Sequence, residues 1–148
     1  MSAPVRQLCT FSVDGLLFGV DVIHVQEVLR YQEMTPVPLA SLVVSGLINL
    51  RGQIVTALDM RQRLGLAQRR ADELPTNIIV RHAEGVVALL VDEIGDVVEV
   101  EPAAFEPCPD TLSASARALV DGVYKLNPQL LLLLNTERAV TIESHGDQ

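Results

Sequence analysis

Tryptophan is absent from the sequence, and three phenylalanines with two tyrosines make up its whole aromatic content. A folded core must therefore be filled by Val, Leu and Ile, side chains that pack well on pleated strands. Cysteine is nearly absent too. Cys9 and Cys108 stand in no metal-ligand spacing, which supports neither a disulfide framework nor a zinc site and points to a reducing compartment. No apolar run, the leucines at 130–134 included, approaches the roughly 20 residues a membrane helix needs, so direct membrane insertion is not expected. Residues 1–10 hold Pro4 and Arg6 but no apolar stretch, which argues against a secretory signal and for a cytoplasmic protein. Lysine occurs once, as Lys125, and 11 basic residues face 19 acidic ones for a formal charge of −8. The basic side chains are scattered apart from Arg61, Arg63, Arg69 and Arg70, so no nucleic-acid partner is expected.

Catalytic signatures are missing as well. Neither Gly-x-Ser-x-Gly nor a glycine-rich phosphate loop occurs. His24, His82 and His145 are too dispersed to form a metal cluster. Catalytic residues, metal ligands and cofactors are accordingly expected to be none. Two enzymatic alternatives stay on the table. Cys9 with His24 could serve a small hydrolase, against the plainer reading of a strand cysteine facing the core. Asp92, Glu93 and Asp96 could do acid–base work or hold a cation, against the plainer reading of a solvated acidic turn without the further oxygen ligands of a calcium loop.

What is present is a succession of short strand-like runs punctuated by turn residues. Residues 8–13 and 16–21 flank Asp14-Gly15, a dipeptide suited to the positive φ of a tight hairpin. The segment 22–30 changes period: Val22, Val25, Val28 and Leu29 share one arc of a helix, which Asp21 would cap. Thr35-Pro36-Val37-Pro38 reads as an extended connector. Residues 46–50 and 53–58 form a second hairpin around Arg51-Gly52, followed by a short helix at 60–64 that Asp59 starts and Gly65 stops. After a polar loop at 66–75 comes a third hairpin, 77–81 with 86–92, and Gly95 is expected to break the chain before 96–101. Residues 101–115 read as a surface excursion with a helical turn at 103–105. Strands at 119–126 and 129–135 and a closing helical segment at 136–142 complete the pattern, the leucine run reading as a strand buried on both faces. Many short strands with few helices predict a mainly β protein of closed or nearly closed barrels. One side chain stands out: Arg51, at a hairpin tip beside Asn49 and Gly52, either points into water or pairs across the fold with Glu27.

These same residues carry a family resemblance. Phe18-Gly19-Val20-Asp21-Val22 followed by Val25-Gln26-Glu27-Val28, the Thr35–Pro38 connector, and above all Gly46-Leu47-Ile48-Asn49-Leu50-Arg51-Gly52-Gln53-Ile54-Val55 with Leu58-Asp59-Met60-Arg61 resemble the CheW-type coupling proteins. Val91-Asp92-Glu93-Ile94-Gly95-Asp96-Val97 and Leu119-Val120-Asp121-Gly122-Val123 extend the likeness over about residues 8–140. The resemblance implies one CheW-like domain over 1–148: two five-stranded SH3-like β-barrels sharing a hydrophobic core, with a few short helices. Their approximate limits are 14–70 and 71–140, with residues 8–13 open to sharing between them and 141–148 a tail. It implies a free-standing, non-enzymatic adaptor that joins the regulatory domain of a CheA-type histidine kinase to the cytoplasmic hairpin tip of a methyl-accepting chemoreceptor. A receptor-only adaptor is the alternative. Val25 and Gly46 match family positions in partner contact, with Gly46 expected to admit a partner's backbone, and Glu27 and Arg51 match the family's acid and signature arginine, a pair expected to orient the partner-binding surface. Leu47, Asn49, Gly52, Val98 and Val100 complete the expected site, Leu47, Val98 and Val100 lining the receptor groove. The sequence departs from the family in having Leu29-Arg30-Tyr31 where Arg-Gly-Tyr often stands, and in its compact 66–75 loop.

Overall fold

The computed structural model describes residues 5–83, 85–126 and 128–141. Its elements are β1 (Arg6–Val13), β2 (Leu16–Asp21), a 3-10 turn (Val22–His24), β3 (Val25–Leu29), β4 (Val44–Leu50), β5 (Gln53–Asp59), α1 (Met60–Arg63), β6 (Thr76–His82), β7 (Gly85–Val91), β8 (Glu93–Val100), a second 3-10 turn (Pro102–Ala104), β9 (Phe105–Glu106), α2 (Ala114–Leu119), β10 (Val120–Lys125), β11 (Leu130–Leu134) and α3 (Thr136–Val140). The fold is mainly β, as the sequence predicts.

The strands form two sheets, in the orders β8-β1-β2-β11-β10-β9 and β3-β6-β7-β5-β4. Six and five strands stand where five and five are expected, the extra one being the two-residue edge strand β9. Each sheet also takes strands from both sides of residue 70, so a division there does not separate them. The polar 66–75 loop marks a connection from α1 to β6, and the parallel pairing of β5 with β7 ties the chain across it.

Side-chain alternation sorts the apolar residues into three layers. Cys9, Phe11 and Val13 of β1, Ile78 and Val80 of β6, Val87, Leu89 and Val91 of β7, and Leu132 and Leu134 of β11 meet in one large central cluster. The opposite faces of the same strands fill two smaller clusters, Leu8 with Leu131 and Leu133 in one and Ile79 with Ala88 and Leu90 in the other. Strands covered on both faces explain the unbroken leucine run. Phe11 and Phe18, cross-strand partners, stack with ring centroids 5.4 Å apart at the centre.

Local chemistry sets the turns. Asp14 and Gly15 have φ of 50° and 82°, and Arg51 and Gly52 have 54° and 90°, the hand that two-residue hairpins require. Asp59 accepts from the Arg61 N–H to start α1, and Gly65 leaves it at φ 70°.

Four local expectations change. Segment 22–30 is a 3-10 turn followed by strand β3, not a helix. Asp21 does accept from the Ile23 N–H, but Val25, Val28 and Leu29 pair with Val80, Ile78 and Asn77 of β6. β-branched residues favour that ladder, and a register shift between Val25 and Glu27 disguises its two-residue period. Gly95 does not break the chain: β8 runs through it, and a Cβ there would lie 2.5 Å from Thr10 Oγ1, whose hydroxyl donates to the Asp96 carbonyl. The helical turn expected at 103–105 is the 3-10 turn Pro102–Ala104, with Phe105 already in β9. Leu119 ends a helix, α2, that Ser113 caps through the Ala116 N–H, so the following strand starts one residue later.

Candidate partner-binding site

The β4–β5 turn projects Arg51, whose guanidinium donates to Glu27 Oε2 on β3. β3 and β4 are the opposite edges of one sheet. Held flat, five strands would separate those edges by about 19 Å, beyond the reach of the two side chains, so the sheet curls enough to bring the β4–β5 turn within reach of β3. The Arg51 side chain remains 65% exposed and that of Glu27 24%. The hydrogen bond from Arg51 holds the Glu27 carboxyl below its usual range. Asn49 and Gly52 join this group, the Asn49 Oδ1 accepting from the Gly52 N–H at 2.8 Å. Exposed apolar residues lie on the neighbouring strands: Ile54 of β5, across the ladder from Asn49, is 60% exposed, and Val28 of β3, on the face opposite Glu27, is exposed as well.

Gly46 acts differently from expectation. It is buried, and a Cβ on it would lie 2.8 Å from the Thr35 carbonyl oxygen and 3.0 Å from Met34 Cβ. Thr35 and Leu47 exchange two backbone hydrogen bonds of 2.8 Å. The close approach that Gly46 permits is therefore to this chain's own connector, which covers the outer edge of β4. Gly46→Val is expected to force that connector away and to cost about 1–3 kcal/mol, read as a lower urea midpoint with an unchanged slope.

Val25 opens β3, half-buried and packed against the central cluster. Val98 and Val100 lie on the other sheet. Val100 is 5% exposed among Leu8, Tyr124, Leu131 and Leu133, and Val98 packs on the same cluster. Both belong to that interior layer because two-residue alternation turns them inward, so they do not line a groove with Leu47. The open cleft near them has a volume of about 690 Å³ and is lined by Val5, Val22, Ile23, Pro102, Phe105 and Tyr124, with Arg6, Asp21 and Glu99 among its polar groups. Ile23 and Phe105 are among its exposed apolar members, as is Val5, and Phe105 sits against Tyr124 with centroids 5.3 Å apart. Sequence reasoning passed over all three, although an exposed phenylalanine is conspicuous in a chain with only three.

Asp92 is more than part of a solvated turn. It accepts from Arg61 Nε at 3.0 Å and Nη2 at 2.7 Å, from Arg69 at 2.9 Å, and from the Asp14 N–H at 2.7 Å. Burial pushes its carboxyl up, but these bonds outweigh burial and lower it to about 2. The hub joins α1, the 66–75 loop, the first hairpin turn and the end of β7. Cys9 packs in the central cluster, and burial pushes its thiol up, the reverse of what a nucleophile needs.

Comparison with known proteins gives a consistent result. A family model described as the CheW-like domain matches residues 7–143. The chemotaxis protein CheW of Rhizobium meliloti is 30% identical over 132 residues, covering 89% of this chain and 85% of that protein. The chemotaxis protein CheW of Bacillus subtilis is 26% identical over 139 residues, covering 94% and 89%. Among solved structures, the scaffolding protein TtCheW of Thermoanaerobacter tengcongensis superposes with a TM-score of 0.79 at 27% identity, covering 89% of this chain and 90% of that one.

Proposed function

Since the chain belongs to the CheW-like domain family, we propose that it is a non-enzymatic coupling scaffold linking a CheA-type histidine kinase to a methyl-accepting chemoreceptor. The observation that carries this reading is the Arg51–Glu27 pair, which joins the β4–β5 turn to β3, with Ile54 of β5 and Val28 of β3 exposed on the same elements. The kinase regulatory domain docks there, against the β3 edge and the β4–β5 turn. Burying Ile54 and Val28 supplies apolar contact of up to about 1.5–3 kcal/mol each, and the ion pair orients it.

The receptor hairpin tip docks in the 690 Å³ cleft on the other sheet. A helical pair with apolar anchors suits its lining of Val5, Ile23 and Phe105. With sites on separate sheets, the protein holds both partners at once. It works in a bacterial cytoplasm and reaches receptor arrays through its partners; among the described residues no helix is long and apolar enough to cross a membrane.

Titrating the purified protein separately with a kinase regulatory fragment and with a receptor hairpin peptide tests this. Binding of both is expected. Binding of the receptor peptide alone makes it a receptor-only adaptor, and binding of neither rejects the reading.

A further inference from the structure

The left-handed φ of Arg51 is unusual for a residue with a long side chain, and it raises the question of what holds the turn in place. Gly52 meets the turn's demand without a side chain, whereas Arg51 does not. Besides the Arg51–Glu27 pair itself, a side-chain bond closes the turn: the side-chain carbonyl of Asn49 accepts the Gly52 N–H at 2.8 Å. This bond runs from the residue before Leu50 to the residue after Arg51, so it closes the loop around the arginine. Asn49 is itself exposed, and its side chain fills no part of the core. An asparagine whose side-chain oxygen accepts a nearby backbone N–H stabilises a local turn.

We propose that Asn49 is a positioning residue: by bonding the Gly52 N–H it fixes the β4–β5 turn in the one conformation that carries Arg51 across to Glu27. Asn49 then acts on partner docking through Arg51, with no need to touch the partner. The link to docking rests on the proposed partner face, but the positioning itself does not. Removing the bond lets the turn sample conformations in which Arg51 swings into water, and the curled sheet loses the tie between its edges.

The test reads the Glu27 carboxyl by carbon-detected NMR titration in the protein without any partner. Arg51→Ala sets the value that Glu27 takes when its cation is gone. In Asn49→Ala the Glu27 titration is expected to move most of the way to that value. In Asn49→Ser, whose hydroxyl can accept the same N–H without adding charge, it is expected to return most of the way toward wild type. In the double variant Asn49→Ala/Arg51→Ala it should match Arg51→Ala alone, since Asn49 has nothing left to position. A Glu27 titration unchanged by Asn49→Ala, with the fold intact by circular dichroism, overturns the inference. A parallel titration with the kinase fragment separates the two ideas: a Glu27 shift without loss of affinity supports the role of Asn49 and counts against the partner face.

Discussion

Asp92→Ala is expected to lower folding stability by about 3–5 kcal/mol, the usual cost of stripping the partner from buried charges. The side chains of Arg61 and Arg69 are only 14% and 10% exposed, and each makes its short ion pair with this carboxylate, at 2.7 and 2.9 Å, the next acids, Asp14 and Asp59, standing off at 3.8 and 3.9 Å. Without it two cations sit in the structure with reduced compensation, and the Asp14 N–H loses its acceptor. Against a total of about 5–15 kcal/mol for a domain, that is a large fraction. Urea unfolding measures it, and a variant within 1 kcal/mol of wild type would show that the hub contributes little.

The same carboxylate sets an acid limb. Its folded value of about 2 lies below the ordinary 3.8, so the unfolded chain takes up a proton that the folded chain refuses. The stabilisation is complete above the unfolded value and is lost as pH falls toward 2, an effect of about 2 kcal/mol. Asp92→Asn is expected to remove that part of the pH dependence, which paired urea titrations at pH 5 and pH 2.5 would reveal.

Arg51→Gly separates fold from docking. Glycine adopts the turn's positive φ without the penalty an arginine bears there, so the unfolding midpoint is expected to stay level or rise slightly. Affinity for the kinase fragment is expected to fall at least tenfold, about 1.4 kcal/mol, because the orienting charge is gone. Loss of fold in this variant would mean that the ion pair is structural. Full affinity would remove Arg51 from the interface.

What the sequence made legible was local. Asp14-Gly15 and Gly52 declared their hairpins because few residues tolerate those angles, and Asp59 with Gly65 bounded α1 through caps only a few residues away. β3 was misread because Val22, Val25, Val28 and Leu29 fit a helical arc as well as a bulged strand, and only pairing with β6 decides between them. Asp92 looked like a solvated acid because its arginines lie 31 and 23 residues away along the chain. The pairing of Glu27 with Arg51 was one of two readings of the hairpin tip, the family resemblance favoured it, and the two are in contact. Val98 and Val100 were misplaced because the direction a strand residue faces depends on register, which the bulge between Cys9 and Phe11 shifts. Gly46 was rightly singled out as a close-approach position, but its neighbour is Thr35 of this chain.

The path of the chain through the two sheets has a consequence for assembly. After β2 the chain leaves the six-stranded sheet, lays down all five strands of the other, and only then returns with β8 to complete the first. During synthesis the β1–β2 hairpin, with Leu8, Phe11 and Phe18, must therefore wait for its further strand partners, more than seventy residues downstream, β8 first and β11 later still. Such distant closures are slow, and a fragment ending midway would bare that hairpin to aggregation.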